Sequence, residues 1–158
     1  MSWQSYVDDQ LLATKTVTAA AIAGHDGNLW ATRCTTTTSS TTTTSTSTGF
    51  PATAEEVRKV LGSMGDTQGL AMAGVTIGGV RCPQLQGFLF SCLQYLFPRY
   101  MYLSGDEKVI RARKKTAGLH IMKTVQAVII AVYDEPIVPE QCANTTEKLG
   151  DYLISVGY

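Results

Sequence analysis

The sequence predicts an α/β (α+β) fold in which one antiparallel sheet is covered by helices on both faces. Residues 125–133 are apolar at nearly every position, as is typical of a central strand that is buried on both sides. Asp26-Gly27 stands between two short strand-like runs, and a tight Asp-Gly turn is typical of a β-hairpin. Helical patterns with capping residues precede and follow these strands. Such an arrangement places helices on both sides of a sheet.

The first elements are a helix and a hairpin. Ser2 can cap a helix over residues 3–12, because its hydroxyl is a good acceptor for the free amides of a first turn. Two short strands follow, at residues 18–22 and 28–32.

A second helix begins after Thr53. Glu56 stands three residues later and completes a capping-box sequence, and Gly65 ends the helix. Its apolar stripe consists of Val57, Val60, Leu61 and Met64. Residues 71–77 then alternate in the manner of a strand and lead into a turn at Gly78-Gly79.

The rest of the chain adds four strands and a last helix. The strands are predicted at residues 100–104, 108–113, 119–123 and 125–133. Pro139 suits the first turn of a helix, and residues 144–147 offer a second capping signal. The sequence leaves both starts of the last helix open.

Aromatic residues near both ends stand where a packed core does not require them. Trp3 and Tyr6 are three residues apart and share one helix face, whereas Val7 and Leu11 mark the buried edge of that helix. Near the other end, the core stripe is predicted to be Leu149, Leu153 and Val156, with Tyr152 and Tyr158 beside it. Aromatic rings gathered at a surface bind proline-rich segments, since a polyproline II helix is already extended. Each ring can alternatively cap only its own helix against the core.

Composition limits the function classes. The length of 158 residues and a hydrophobic content of 44% fit a single domain. Thirteen basic and thirteen acidic residues cancel, so no overall charge favours nucleic acid. Four cysteines show neither a CxxC pair nor a framework spacing, which favours a reducing, cytoplasmic setting. A signal peptide is not expected, and the apolar run at 88–97 is too short to span a bilayer.

Enzymatic and metal-binding functions are not expected. The chain has two histidines, no GxSxG sequence, no phosphate-binding glycine loop and no cluster with metal-ligand spacing. His25 beside Asp26 is interpreted as part of the hairpin turn. The sequence therefore predicts no catalytic residue, no metal and no cofactor.

Several stretches, in the same order, resemble the profilin family of actin-monomer-binding proteins. They are residues 1–8, 20–31, 100–102 with 109–111, 114–115 and 147–154. The resemblance implies one profilin-like domain over residues 1–158, with the N- and C-terminal helices on one face of the sheet and further helices on the other. It also implies binding of monomeric actin, of proline-rich proteins such as formins and of phosphoinositides, with regulation of actin polymerisation and promotion of nucleotide exchange on actin. The expected location is the cytoplasm and cytoskeleton.

The resemblance also implies three sets of site residues. The polyproline-binding set is Trp3, Tyr6, Trp30, Tyr152, Leu153 and Tyr158. The actin-binding set is Arg99, Met101, Tyr102, Arg111, Arg113, Asn144, Glu147 and Lys148. The phosphoinositide-binding set is Arg111, Arg113, Lys114 and Lys115.

Strand geometry alone puts Arg111, Arg113 and Lys115 on one face. A charge run of this kind is usually a solvated face, and it can also bind an anionic partner.

Two segments interrupt the resemblance and are interpreted as insertions. Residues 34–48 are a low-complexity run of threonine and serine after Cys34, and residues 82–98 are an apolar stretch at a hairpin turn. Each follows an arginine directly, at Arg33 and Arg81. They are either lineage-specific extensions or translated introns, and sequencing the transcript distinguishes these. The second segment leaves an alternative function open, an adaptor for polyproline and phosphoinositides that has lost actin binding.

Overall fold

The computed structural model of the chain describes residues 2–34, 52–77, 99–114 and 117–158. Its strands are β1 (Ala19–Gly24), β2 (Leu29–Cys34), β3 (Val75–Thr76), β4 (Arg99–Gly105), β5 (Val109–Lys114), β6 (Ala117–Lys123) and β7 (Ala127–Tyr133). They form one antiparallel sheet in the order β2-β1-β7-β6-β5-β4-β3. The predicted α+β fold class is confirmed.

The helices of the described residues lie around this sheet. The first, α1, begins as an α-helical turn over Trp3–Ser5 and continues as a π-helix over Tyr6–Leu12. The others are α2 (Ala54–Ser63), α3 (Thr67–Ala73) and α4 (Pro139–Ser155). Among the described helices, none combines the length and the apolar content that crossing a bilayer requires.

Local sequence explains where the first two helices begin. The Ser2 hydroxyl accepts a hydrogen bond from the Ser5 amide at 3.3 Å, as predicted for the cap of α1. The Thr53 hydroxyl accepts from the Glu56 amide at 3.3 Å, and the Glu56 carboxylate accepts from the Thr53 amide at 3.0 Å. The capping box at the start of α2 is therefore confirmed.

The central strands are buried on both faces, because successive side chains of a strand point to opposite sides. Ala21 of β1 and Ile130 of β7 pack in a core with α2 and α3. Their sequence neighbours on the same strands, Ile22 and Ile129, pack in a second core with α1 and α4. The predicted placement of both terminal helices on one face is thus confirmed.

Residues 71–77 do not form the predicted strand. Ala73 is the last residue of α3, and β3 covers only Val75–Thr76. The Asp66 carboxylate accepts a hydrogen bond from the Gly69 amide at 3.0 Å and caps α3, while Gly74, with φ at 70°, ends it. Met72 is 90% exposed, so the alternation of apolar residues does not reflect a buried strand face.

The last helix begins at Pro139 rather than at residues 144–147. Thr146 lies inside the helix, where its buried hydroxyl donates to the Cys142 carbonyl at 2.8 Å. Leu149 and Leu153 are buried as predicted. The prediction is wrong for Val156, which is 47% exposed because α4 ends at Ser155 and the chain turns there.

Two glycines permit close packing, one within the sheet and one between the sheet and α4. The ring of Tyr133 lies directly over Gly118 on β6, and a Cβ atom at position 118 would overlap the ring. The Met122 side chain lies against Gly150 in the same way, which brings α4 close to the sheet.

The proposed insertions fall almost entirely outside the described residues. Cys34 is the last residue of β2, whereas residues 35–48 and 82–98 are not described. The turn predicted at Gly78-Gly79 is likewise outside the described residues.

Candidate functional site

Five side chains from three parts of the chain form one continuous aromatic surface, which consists of Trp3, Tyr6, Trp30, Tyr152 and Tyr158. Trp3 is central, with its ring centroid 4.7 Å from Trp30, 5.1 Å from Tyr158 and 5.8 Å from Tyr6. The Tyr6 and Tyr152 centroids are 6.0 Å apart and extend the surface along α4. All four separations suit direct aromatic contact.

These rings are open to solvent on a rigid support. Trp30 is 37% exposed, Tyr152 46% and Tyr158 44%, which is high for large aromatic side chains in contact with one another. Leu153 is fully buried in the core that α1 and α4 share. The predicted polyproline set therefore divides into five surface rings and one buried residue that supports them.

The hairpin positions Trp30. A Cβ atom at Gly24 of β1 would lie 2.8 Å from a ring carbon of Trp30, so only glycine lets the indole lie across the strand. The neighbouring helix α1 is tied to β2 by an ion pair, since Asp8 lies 3.0 Å from Arg33. Both features hold Trp30 beside Trp3.

Backbone hydrogen bonds fix Tyr158. Its amide donates to the Leu153 carbonyl at 2.8 Å, and its carbonyl accepts from the Val125 amide at 3.1 Å. The Gln126 side chain donates to the Gly157 carbonyl at 3.0 Å. The turn between β6 and β7 thus holds the Tyr158 backbone, and the ring reaches the aromatic surface from there.

The Tyr6 phenol of the aromatic surface remains neutral near pH 7. A hydrogen bond with Tyr152 raises the pKa of Tyr6 above its usual value, and partial burial acts in the same direction. Neutral phenols and indoles offer apolar faces together with O–H and N–H donors. This chemistry suits an apolar ligand that presents unpaired carbonyl groups.

A second site, the β5–α4 cleft, lies between the sheet and the first half of α4. It has a volume of about 290 Å³, and its walls include Leu103, Arg111, His120, Asn144 and Glu147. The Arg111 guanidinium donates to the Glu147 carboxylate at 2.9 Å and joins β5 to α4. The sequence predicted these two residues for one site, and the structure brings them into contact.

His120 is the buried polar residue of the β5–α4 cleft. It is 2% exposed, and its Nε2 atom lies 3.4 Å from the Glu147 carboxylate without a hydrogen bond to the described residues. Burial lowers the pKa of His120 to about 4, with Glu147 opposing and Arg111 reinforcing the shift. The imidazole is therefore neutral at pH 7.

Three further residues of the predicted actin set accompany the cleft. Met101 is 71% exposed on β4 and pairs in register with Arg113 on β5. Asn144 lines the cleft from the second turn of α4. Met101, Arg111, Arg113, Asn144 and Glu147 thus border one open region of the molecule.

Other members of the predicted actin set lie elsewhere. Tyr102 packs in the core on the opposite face of β4, and its hydroxyl donates to the Gly105 carbonyl at 3.2 Å. Arg99 begins β4, where only the backbone is described. Lys148 lines a separate depression, the α1–α4 groove, which is bounded by Tyr6, Gln10, Thr14, Thr145, Lys148, Leu149 and Tyr152.

The predicted phosphoinositide set is also divided. Arg111 and Arg113 are both exposed and alternate with the buried residues Ile110 and Ala112, so they share one face of β5. Lys114 follows on the alternate position and lies toward the other face. Lys115 lies outside the described residues.

Sequence reasoning missed His120 and Gly24. His120 could have been found as the single titratable residue between the apolar residues Leu119 and Ile121 of a predicted strand. Gly24 gave no such signal, because its role depends on a ring six residues later. In residues 2–34, 52–77, 99–114 and 117–158, no three His, Cys, Asp or Glu side chains are grouped as a metal would require.

Comparison with known proteins gives a consistent result over the whole chain. A family model described as Profilin matches residues 1–158. The chain is similar to a profilin of Drosophila melanogaster, with 44% identity over 158 residues that cover 100% of both proteins.

Solved structures with the same fold include further profilins. Acanthamoeba castellanii profilin II has a TM-score of 0.75 and 33% identity, covering 99% of this chain and 100% of that chain. Mouse profilin IIa, solved in complex with a double repeat from the FH1 domain of mDia1, has a TM-score of 0.63 and 19% identity, with 100% of both chains covered. The mouse protein shares the fold with this chain.

Proposed function

This chain belongs to the profilin family, whose members are actin-binding proteins of the cytoskeleton, and we propose that it binds monomeric actin and proline-rich segments on two separate surfaces. The observation that carries the proposal is the division of α4. Glu147 faces the β5–α4 cleft, while Tyr152 belongs to the aromatic surface. Two partners can therefore contact one helix without overlapping at these residues.

The aromatic surface is the proposed receptor for proline-rich segments such as those of formins. A polyproline II helix leaves its carbonyl groups unpaired and is already extended, so docking costs little conformational entropy. The exposed rings of Trp30 and Tyr152 and the partly buried ring of Trp3 supply apolar faces, and their N–H and O–H groups supply donors. Binding should strengthen as the tract lengthens, since each added proline ring covers more apolar area.

The surface around the β5–α4 cleft is the proposed contact for monomeric actin. Met101 provides an exposed apolar side chain, and Arg111, Arg113 and Asn144 surround it with polar groups. An apolar centre with a polar rim is the usual composition of a protein interface. Family membership supports actin as the partner.

Two finer activities follow from the same proposal. A ligand shifts its target toward the state that it binds best. If this chain binds best to actin with a more open nucleotide cleft, actin will exchange its nucleotide faster. Simultaneous binding to a formin would then deliver the bound subunit to a growing filament in the cytoplasm.

Arg111 and Arg113 are the proposed contacts for phosphoinositide head groups. Both guanidinium groups are exposed on the same strand face, and guanidinium groups pair well with phosphates. Because these residues also belong to the proposed actin surface, phosphoinositides and actin should compete for the chain.

Calorimetric titration of ATP-bound monomeric actin tests the actin assignment. Met101→Asp should abolish measurable binding, because it puts a charge in the proposed interface. Met72→Asp is the matched control, since Met72 is 90% exposed on α3 at the other face of the sheet. Equal binding by both variants would contradict the proposed surface.

A version that lacks residues 82–98 should be titrated in parallel. Binding by the shortened chain alone would favour the adaptor for polyproline and phosphoinositides that has lost actin binding. Equal binding by both lengths would support a tolerated extension between β3 and β4.

A further inference from the structure

The α1–α4 groove continues the aromatic surface past Tyr6 and Tyr152. It has a volume of about 460 Å³ and lies between two helix faces. Tyr6, Gln10 and Thr14 form one wall, at every fourth residue of the first helix and the turn after it. The same two tyrosines, with ring centroids 6.0 Å apart, therefore belong to both features.

The chemistry of the groove changes along its length. Its floor is apolar, since Leu149 is only 5% exposed. The Gln10 amide and the Lys148 ammonium group are exposed at its edges, and neither makes a hydrogen bond or ion pair with the described residues. Lys148 is the single charged residue among those that line the groove. The Lys148 ammonium group and the Gln10 amide are thus available to bind a ligand in the groove.

Hydroxyl groups close the far end of the groove. The Thr16 hydroxyl oxygen lies 2.9 Å from that of Thr145 on α4 and 2.7 Å from that of Thr14. The Thr14 hydroxyl also donates to the Leu11 carbonyl at 2.6 Å. A ligand that enters from the aromatic end therefore meets Lys148 before it reaches a closed wall.

The length of the groove limits what it can hold. Thr145 and Tyr152 are seven residues apart on α4, which is about 10 Å along an α-helix. An extended chain advances about 3.1 Å per residue, so about three residues fit. Lys148 is four residues from Tyr152, or about 6 Å, and lies opposite about the second of them.

We infer that the α1–α4 groove binds the flank of a proline-rich segment, with an aspartate or glutamate at about the second flank position facing Lys148. The inference rests on the proposed function, because the proline tract itself lies on the aromatic surface. The ligand of this protein is thereby a proline tract followed or preceded by an acidic residue, rather than prolines alone.

The test uses synthetic peptides and the full chain. Each peptide has a tract of about ten prolines, enough to cross the aromatic surface at about 3.1 Å per residue. The flank carries Asp, Ser or Lys at its second position, and each flank is made at both ends because the rings do not fix the direction of the tract. Tryptophan fluorescence at low salt reports binding through Trp3 and Trp30.

For the end that enters the groove, the Asp flank should bind about two- to fivefold more tightly than the Ser flank, as expected of one exposed ion pair. The Lys148→Glu variant should reverse the order and prefer the Lys flank. Lys59→Glu is the matched control, since Lys59 is exposed on α2 at the other face of the sheet and its replacement changes the net charge equally. This variant should retain the preference for Asp.

The failures are distinguishable. If the Ser-flanked tract binds and the three flanks at either end are equivalent, the inference about the groove is wrong while the proposed function stands. An Asp preference that persists in Lys148→Glu would also overturn the inference, because the charge effect would arise elsewhere. If no tract binds, the proposed function fails and the inference fails with it.

Discussion

The aromatic surface and the β5–α4 cleft stand on the same helix and rely on different physics. The aromatic surface is built from ring contacts of 4.7 to 6.0 Å among neutral side chains. The cleft holds a guanidinium hydrogen-bonded to a carboxylate, and a buried imidazole whose Nε2 atom lies 3.4 Å from the same carboxylate. The first site should therefore respond to changes of shape and apolar area, and the second to changes of pH and charge.

The largest effect that separates the two regions is the pH dependence set by His120. Its folded-state pKa of about 4 lies below the ordinary value of 6.5, so the unfolded chain binds the proton more readily. The contribution of the neutral His120 imidazole to the free energy of unfolding is complete above pH 6.5 and is lost as the pH falls toward 4. The loss should reach about 3 kcal/mol in the free energy of unfolding.

Urea unfolding at pH 7 and pH 4 measures this loss. His120→Leu keeps a side chain of similar size without a titrating group and should show a smaller pH dependence. Glu147→Gln removes the carboxylate that raises the pKa of His120, so it should enlarge the loss. If wild type and His120→Leu lose equal stability on acidification, the buried imidazole is not the cause.

Replacing Trp3 tests the aromatic surface. Trp3 contacts three of the four other rings, so Trp3→Ala should weaken binding of a proline tract by about 30-fold, or about 2 kcal/mol. Actin binding should change less than twofold, since Trp3 contacts other rings of the aromatic surface and does not line the β5–α4 cleft. Tryptophan fluorescence from Trp30 and calorimetry with actin provide the two readouts.

Val156→Ala is the matched control for Trp3→Ala. Val156 is 47% exposed beyond the end of α4 and is not one of the five rings. A comparable loss of proline binding in Val156→Ala, or no loss in Trp3→Ala, would contradict the central place of Trp3.

A smaller effect should come from the ion pair that joins β5 to α4. Arg111 and Glu147 are 51% and 35% exposed, so their coupling free energy should be below about 1 kcal/mol. A double-mutant cycle with Arg111→Ala and Glu147→Gln, followed by urea unfolding, measures it. A coupling of several kcal/mol would mean that the pair behaves as a buried one.

The smallest expected effect is the response of proline binding to salt. Contacts between neutral rings and an uncharged tract involve no ion pair, so affinity should change less than about twofold between low and high ionic strength. The proposed binding of phosphoinositide vesicles through Arg111 and Arg113 should weaken strongly over the same range. Titrations of the proline tract and of the vesicles at the same salt concentrations compare the two affinities directly. A steep salt dependence of the affinity for the uncharged tract would show that the aromatic surface is not acting alone.

Patterns within single elements predicted much of the fold. The capped first helix, the Asp26-Gly27 hairpin and the doubly buried β7 were predictable because their signals lie within a few residues of sequence. The strand expected at 71–77 failed because the helix cap at Asp66 outweighs the apolar alternation that follows it. A helix signal and a strand signal compete in this segment, and the hydrogen bond from the Gly69 amide to the Asp66 carboxylate favours the helix.

The candidate site was predictable only where side chains alternate regularly. Arg111 and Arg113 share a face because β5 is regular. The same alternation puts Tyr102, which pairs with Ala112, in the core on the face opposite Met101, so its place in the actin set came from the resemblance and not from strand geometry. Lys148 lies four residues after Asn144, yet it faces α1 rather than β5. The packing angle of a helix decides such cases, and the sequence of that helix does not contain it.

The hydrogen bond from the Val125 amide to the Tyr158 carbonyl bears on how this protein is labelled. A fluorescent protein or affinity tag joined after Tyr158, or before Ser2, would leave from the edge of the aromatic surface and crowd it. Such a fusion would obstruct the proposed docking of proline-rich partners. A small dye attached at Met72→Cys, on α3 across the sheet, would leave the aromatic surface and the β5–α4 cleft uncovered.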